Sequence, residues 1–564
     1  MRPFLITLFF LFRQASAQDL KYLIHLKDKK NNGFNLSDPF AFLSEKSVQR
    51  RQKHHIAIDS TDLPITAAYS DSLMELPSLR ILNKSRWFNQ LLISITDTAV
   101  LQQVHAFSFV LSSEPVNNQH SKKIRDQVSI NKQETISSVK ITNLSNDVAG
   151  ISSYYNYGSS FSQIHIHHGD YLHDLGFHGE SMTIAILDNG FSNYLTNPAF
   201  DSLRLNHRIL GSYDFVNQKI TVNEEEVHGA FCFSILASNI PDLFVGSAPA
   251  ADYWLFKTED DLSESPVEEQ NWVAAAEYAD SVGVDLISTS LGYGYFDDPK
   301  FNLNYLERNG HAALISQAAN LAVAKGMIVM AAAGNDGSQN SERKYVSCPA
   351  DGDSVYAVGA VDVSNQFGIF SSWGPNGSGQ VKPDGVSVGV GTYFIGTDGN
   401  LNSGNGTSFA TPNLAGLITC LWQAFPEFSS HDILMAVRQS SDKYLSPDNR
   451  YGYGLPDFEK AYQSLLLKRT AISNILSGNE WIRAYPVPFY NSIHILLRPS
   501  VSGEAIIQLL DISGKIIQTN TSPVSAGQVQ QLEFKIIAPI SKGVYFIRYI
   551  DQKQSTTLKV MKND

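Results

Sequence analysis

The chain has 564 residues, too many for one hydrophobic core, so its length predicts three or four folding units. Apolar residues make up 43% of it, with 38 Gly and 22 Pro, which is a globular composition and excludes a collagen-like or low-complexity chain. Lys plus Arg is 43 against 55 Asp plus Glu, a net charge of −12, and no long basic stretch stands out to neutralise phosphates, so nucleic acid is not an expected partner.

The first element is Arg2, the apolar stretch Phe4 to Phe12 and the small residues Ala15-Ser16-Ala17, the pattern of a secretory signal peptide over residues 1–17. The apolar run stops at Arg13, well short of the roughly 20 residues of a spanning helix, and no later run approaches that length, so no transmembrane anchor is expected. Charged residues are only 17%, which also fits an exported chain. Cys232, Cys348 and Cys420 are too few for a disulfide framework and lack metal-ligand spacing.

Residues 18 to about 114 mix alternating segments (20–26, 91–96) with polar stretches, and predict a compact α+β unit that includes the dibasic Arg50-Arg51. Residues 115 to about 150 lose aromatics and periodicity, the composition of a solvated linker. From 151 to 467, near-continuous apolar runs (182–187, 253–256, 284–288, 327–333, 355–361) alternate with helix-length segments (229–238, 271–282, 312–325, 408–425). That alternation predicts an α/β fold with a mostly parallel sheet flanked by helices, and function at the carboxyl ends of its strands. Residues 480–564 return to short alternating strands with turn punctuation, which predicts a C-terminal β-sandwich.

Three polar residues stand where a packed element of the middle unit begins or ends. Asp188 closes the run MTIAIL, His228 precedes the apolar helix AFCFSILAS, and Ser408 opens a helix in GNGTSFATP. A serine hydroxyl is a weak nucleophile without a base, and the base needs an acid to fix its tautomer and stabilise its cation. A fourth segment, MIVMAAAGNDG, ends a strand at Asn335, whose side-chain amide could donate to an oxyanion. Taken singly, each has an ordinary reading as a turn former, a satisfied core histidine or an N-cap. Together, in one order, they make a chemically complete hydrolytic set.

On these motifs the sequence resembles the subtilisin-like serine proteases, the subtilases. The match comprises AILDNGF, HGAFCFSILA, ISTSLG, AAAGN and GTSFATP, in the family's order Asp, His, Ser. The resemblance implies a secreted serine endopeptidase in which Asp188 orients the base, His228 is general base and acid, Ser408 is the nucleophile forming an acyl-enzyme, and Asn335 with the Ser408 amide forms the oxyanion hole. It also implies a substrate cleft lined by Ser290, Leu291, Gly292, Ala332, Ala333 and Gly334, pairing with an extended polypeptide. Two departures are modest: Ala230 where the family usually has Thr, and Phe409 in the place of its usual Met. Cys232, one helical turn from His228, suggests a thiol whose access would make the enzyme mercurial-sensitive.

The flanking units also carry resemblances. TDLPITAAYS and SRWFNQLLISI resemble the prodomains of exported Bacteroidetes subtilases, which implies that residues 18–150 are a prodomain and linker, the enzyme's own partner until removed. AYPVPF, DISGKII, SKGVYFIRYI and LKVMK resemble the C-terminal sorting domain of the type IX secretion system, with Pro486-Val487-Pro488 where Pro-Asn-Pro is usual. That implies export to the surface or medium through that machinery. The chemistry needs no cofactor and the sequence assigns no metal ligand. Structural calcium, common in the family, stays open at Asp351/Asp353 and Asp297-Asp298, where a surface loop is the plainer reading. His165, His167, His168, His173 and His178 lack a fixed ligand pattern and read as a solvated or partly buried N-terminal segment of the mature enzyme rather than a zinc site. The alternatives are a catalytically inactive subtilase-fold surface binding protein and an esterase, the latter disfavoured because Ser408 lies in GTSFA rather than GxSxG.

Overall fold

The structure is a computed structural model that describes residues 20–116, 135–138, 153–490, 492–537 and 539–563. The signal-peptide segment 1–17 and most of the linker, with its basic pair Lys122-Lys123, lie outside the described residues.

The central unit is built on a seven-stranded sheet in which every pair of neighbours is parallel. Its order is Gly385–Val388, Tyr356–Val361, Ile328–Ala332, Leu286–Thr289, Thr183–Asp188, Asp252–Lys257, Ile209–Asp214. The apolar runs follow from this position, because a central parallel strand is covered on both faces. Side-chain alternation along Thr183–Asp188 divides the interior: Ile184 and Ile186 join one core with Phe233, Phe409 and Leu414, while Ala185 and Leu187 join another with Trp272, Ala275 and Ala318. The first core therefore holds the helices His228–Ala237 and Thr407–Ala424, and the second holds Pro266–Val282 and Leu314–Ala324.

The N-terminal unit is a four-stranded antiparallel sheet, ordered Leu79–Ser85, Gln90–Ile95, Leu20–Leu26, Val110–Pro115, with its own core of Ile24, Leu73, Leu91, Ile93 and Val104. It docks on the outer side of the helix Pro266–Val282. Glu277 of that helix accepts from Ser85 Oγ (2.5 Å) and from the Arg86 and Trp87 backbone amides (2.7 and 3.0 Å). The dibasic pair Arg50-Arg51 is buried against Asp280.

The C-terminal unit has two antiparallel sheets, of three and four strands, around Ile495, Ile507, Phe534 and Ile547, as the alternating pattern predicts. Two expectations need correction. The linker carries a strand, Thr135–Ser138, which pairs antiparallel with Leu401–Asn405. The expected end of the central unit at 467 falls inside one continuous helix, Phe458–Leu476, whose Phe458, Ala461 and Leu465 pack into the central core.

Candidate active site

Asp188 is the last residue of its strand and is fully buried. Its Oδ1 accepts from the Asn189 amide (2.8 Å) and lies 2.6 Å from His228 Nδ1. A buried carboxylate on Nδ1 fixes the imidazole with its proton on that nitrogen and leaves Nε2 as the basic lone pair. His228 is the first residue of its helix, 7% exposed. Gly229 follows because a Cβ there would stand 2.5 Å from the Gly190 carbonyl oxygen and 2.9 Å from Asp188 Cβ, so only glycine lets the helix start this close to the strand.

Ser408 is the second residue of Thr407–Ala424, a helix buried almost all round. Pro412 lies inside this helix, not at its start. A proline has no N–H for the carbonyl four residues back, here that of Ser408. That oxygen instead accepts from Ser290 Oγ at 2.8 Å and from Cys232 Sγ at 3.4 Å. The Ser290 hydroxyl and the Cys232 thiol thus stitch the start of the Ser408 helix to the end of the strand Leu286–Thr289 and to the His228 helix.

Asn335 has its orientation fixed by one residue that sequence reasoning missed. Asn335 Oδ1 accepts from both the Thr407 amide and the Thr407 hydroxyl (2.9 Å each), and that hydroxyl in turn accepts from the Gly334 amide at 3.2 Å. With Oδ1 committed, the amide donors face the cleft, which Asn335 lines together with Ser408 and His228. Gly334, at φ 111°, makes the turn that allows this, and a Cβ there would stand 2.8 Å from Ser372 Oγ.

The cleft has a volume of about 650 Å³. Ser290, Leu291, Gly292, Ala332 and Gly334 line it. Ala333 does not: it is fully buried, its N–H donates to Val358 O (3.0 Å) and its carbonyl accepts from the Ser347 amide (3.2 Å). Side chains alternate along an extended segment, so the residue between two cleft-facing neighbours points into the sheet.

Cys232 is 1% exposed and burial pushes its thiol up to about 11, despite the pull of His228, so the thiol is packed beside the site and the access that mercurial sensitivity requires is absent. Asp188, His228 and Cys232 offer ligand atoms within 4.8 Å of one another. Asp188 sits at Nδ1, however, while Cys232 Sγ is 3.9 Å from Nε2, so the carboxylate and the thiol bracket the ring instead of converging with it on one point. The histidine cluster does not converge either. His167 is tied to Pro456 O and Ser387 Oγ (3.0 and 2.8 Å), and His173 to Tyr157 Oη and Ser247 O (2.6 and 3.2 Å). Both rings are fully buried, not solvated, and burial holds them neutral, down to about 4 and about 3. Asp351 is likewise engaged, by Ser316 Oγ (2.5 Å) and the Gly310 amide (2.8 Å). Asp353 pairs with His311 at 3.1 Å, Asp297 accepts from the Glu264 amide at 3.0 Å and Asp298 pairs with Lys300 at 3.4 Å.

Residues 179–454 match the sequence profile of the Subtilase family, residues 21–134 that of the Peptidase S8 propeptide domain of Bacteroidota, and residues 483–563 that of a secretion system C-terminal sorting domain. Among similar curated proteins, Subtilisin E of Bacillus subtilis (strain 168) is 29% identical over 295 residues, 52% of this chain and 68% of that protein. Subtilisin of Bacillus pumilus is 28% identical over 295 residues, 52% of this chain and 94% of its own length. Alkaline elastase YaB of Bacillus sp. (strain YaB) is 29% identical over 288 residues, 51% of this chain and 66% of that protein.

Proposed function

The chain carries a subtilase-family domain over residues 179–454 and is a serine endopeptidase, and from that premise we propose that Asp188, His228 and Ser408 are its catalytic triad, acting through an acyl-enzyme. The observation that carries the assignment is the 2.6 Å contact between buried Asp188 Oδ1 and His228 Nδ1 at the edge of a cleft that Ser408 and Asn335 also line. His228 Nε2 takes the Ser408 proton as Oγ attacks the carbonyl carbon, and Asp188 stabilises the imidazolium so formed. Asn335 Nδ2 and the Ser408 amide receive the charge on the tetrahedral oxygen, at the N-terminus of a long helix whose dipole has the favourable sign. The imidazolium then protonates the leaving amine, and water repeats the cycle to free the acid. No cofactor enters this chemistry. Ser290, Leu291, Gly292, Ala332 and Gly334 bind the extended polypeptide as edge partners.

The propeptide domain makes the chain a zymogen, and the sorting domain directs it to the cell surface or the extracellular space. No helix among the described residues is long and apolar enough to cross a membrane. We assign export to the type IX machinery and propose that the N-terminal unit remains bound to the enzyme until removed. The Asp188–His228 contact, with Ser408 and the oriented Asn335 on the same cleft, supports this reading over an inactive binding protein. The test is hydrolysis of a quenched fluorescent casein by the secreted protein. Wild type hydrolyses it, Ser408→Ala and His228→Ala do not, and equal hydrolysis by Ser408→Ala overturns the assignment.

A further inference from the structure

We infer that Arg308 and Arg343 make the pocket beside Ser408 selective for a carboxylate side chain, aspartate or glutamate, on the residue whose carbonyl is attacked. The inference deepens the endopeptidase reading above and rests on it. Next to Ser408 and Asn335 the cleft is a gap between two segments, residues 290–295 and 332–336. Glycine keeps it open. A Cβ on Gly292 would run into Ser347 Oγ, and one on Gly334 would stand 3.3 Å from the same oxygen, so Ser347 closes the gap between the two walls. A substrate strand pairing with both walls sends alternate side chains toward and away from them. The side chain beside the carbonyl held by Asn335 and the Ser408 amide has this gap to enter.

Past Ser347 the gap ends in positive charge. Arg308 lines the cleft yet is only 1% exposed, and its Cδ lies 3.5 Å from where a Cβ on Gly294 would stand, so the side chain runs along the first wall. Its Nη1 donates to Tyr345 O and Val346 O (3.1 and 3.4 Å) and its Nη2 to Glu342 O (2.5 Å), while its Nε is buried without a partner. Carbonyl partners fix a guanidinium without neutralising it. Arg343, half-buried on the same cleft, stacks 4.3 Å over the Tyr295 ring, which Arg308 approaches at 5.5 Å. Among the described residues no carboxylate comes within ion-pair distance of either guanidinium, and that of Arg343 holds no hydrogen bond. The acid that feels both is Asp336 on the second wall, whose carboxyl burial pushes up against the pull of Arg343 and Arg308. One carboxylate against two cations leaves the end of the gap positive. Glu342 is exposed and accepts from the Tyr305 amide (3.2 Å). The other acids of the cleft come from the segment 259–268 and Asp297, which are joined to each other by the Asp297 amide donating to Glu264 O at 2.9 Å. A guanidinium fork matches a carboxylate, so Arg343 supplies the contact and Arg308 the fixed charge behind it. A lysine entering the gap meets like charge, and a phenylalanine desolvates two cations without offering a counter-ion.

The experiment first maps, by mass spectrometry, the bonds that the matured enzyme cuts in casein, then compares quenched peptides that differ only in Glu against Gln before the scissile bond. Gln has the shape of Glu without its charge, so the ratio of the two kcat/KM values reads the charge alone and is independent of the amount of active enzyme. The expected results are casein cuts concentrated after Glu and Asp, and a Glu preference of about tenfold that shrinks in high salt. Arg343→Gln is expected to bring the ratio to within about threefold of parity, and Arg343→Lys to restore part of it. Arg343 is the position tested because Arg308, which ties three carbonyls, also holds the local fold together. Casein cuts with no preference for acidic residues, a Glu to Gln ratio of one or less, or a ratio unchanged in Arg343→Gln overturns the inference. Failure to hydrolyse casein at all instead overturns the endopeptidase reading beneath it.

Discussion

Asp280 is the carboxylate on which the N-terminal unit's hold depends, and Asp280→Asn tests this without changing its volume. The side chain is fully buried and accepts from Arg50 Nη2 (2.5 Å), Arg51 Nη2 (2.6 and 2.9 Å) and Arg86 Nη2 (3.0 Å), all three arginines coming from the N-terminal unit. Arg51 also pairs with Asp62 (2.9 Å), and Arg86 approaches Glu277 at 4.0 Å. Among the described residues no carboxylate other than Asp280 pairs with Arg50; its other partners are the Val284 and Lys325 carbonyls, the Asp280 carbonyl and Ser47 Oγ, with the Asp285 charge nearby. The substitution therefore takes from a buried guanidinium the carboxylate it is bonded to. Breaking a buried pair from one side costs about 3 to 5 kcal/mol, which is a factor of about 10² to 5 × 10³ in binding. The assay is inhibition of the matured enzyme by the segment 20–134, which has its own core. The inhibition constant of Asp280→Asn enzyme is expected to rise by that factor while peptide hydrolysis is little changed, since Asp280 lies on the outer helix rather than in the cleft. An unchanged constant would refute the reasoning.

On the oxyanion role proposed for it, Asn335→Ala is expected to lower kcat by about 10² to 10³ with little change in KM, the range known for such a donor in a subtilisin. Thr407→Val, which removes only the hydroxyl that orients Asn335, is expected to lower kcat by about two- to tenfold, with Thr407→Ser restoring it. Glu269 is buried with Oε1 lacking a hydrogen-bond partner, and burial, with Asp351 adding, pushes its carboxyl up to about 8. The folded state keeps a proton that the unfolded state has lost, so stability falls as pH rises from the ordinary carboxylate range through about 8. In a Ser408→Ala background, Glu269→Gln is expected to raise the Tm at about pH 8 and much less near pH 5, and equal gains at both would contradict this. Cys232, buried and ionising only near 11, is expected to resist iodoacetamide in the native enzyme and react after unfolding, as read by mass spectrometry with activity followed alongside.

What the sequence disclosed depended on how local the signal was. Doubly covered parallel strands write themselves as apolar runs, and so Thr183–Asp188, Ile328–Ala332 and Tyr356–Val361 are legible within a residue or two. The strand Ile209–Asp214 stands at the sheet edge with half-exposed residues, and the hairpin strand Leu401–Asn405 is mostly polar, so neither has that signature. Thr135–Ser138 was hidden for another reason: its pairing partner lies more than 260 residues away, beyond the reach of any local pattern. At the site, the types and order of Asp188, His228 and Ser408 are visible because chemistry dictates them. The hydrogen bonds of Thr407 to Asn335 are not visible, though the threonine of GTS stands in the open. The AAAGN motif puts Ala333 on the cleft with its neighbours because a motif carries no facing; strand alternation supplies it. The burial of Arg50-Arg51 could not be read from a dibasic pair, since their acidic partner comes from the helix Pro266–Val282.

The most direct test of the triad is the site of reaction with a fluorophosphonate, which modifies a serine only when a neighbouring base has activated it. The matured secreted enzyme is treated, digested and mapped by mass spectrometry, with His228→Ala beside it. The account predicts one stoichiometric adduct on Ser408, in the peptide containing GTSFATP, abolished in His228→Ala. Folded, matured protein that carries no adduct, or carries it on another serine, would contradict the account.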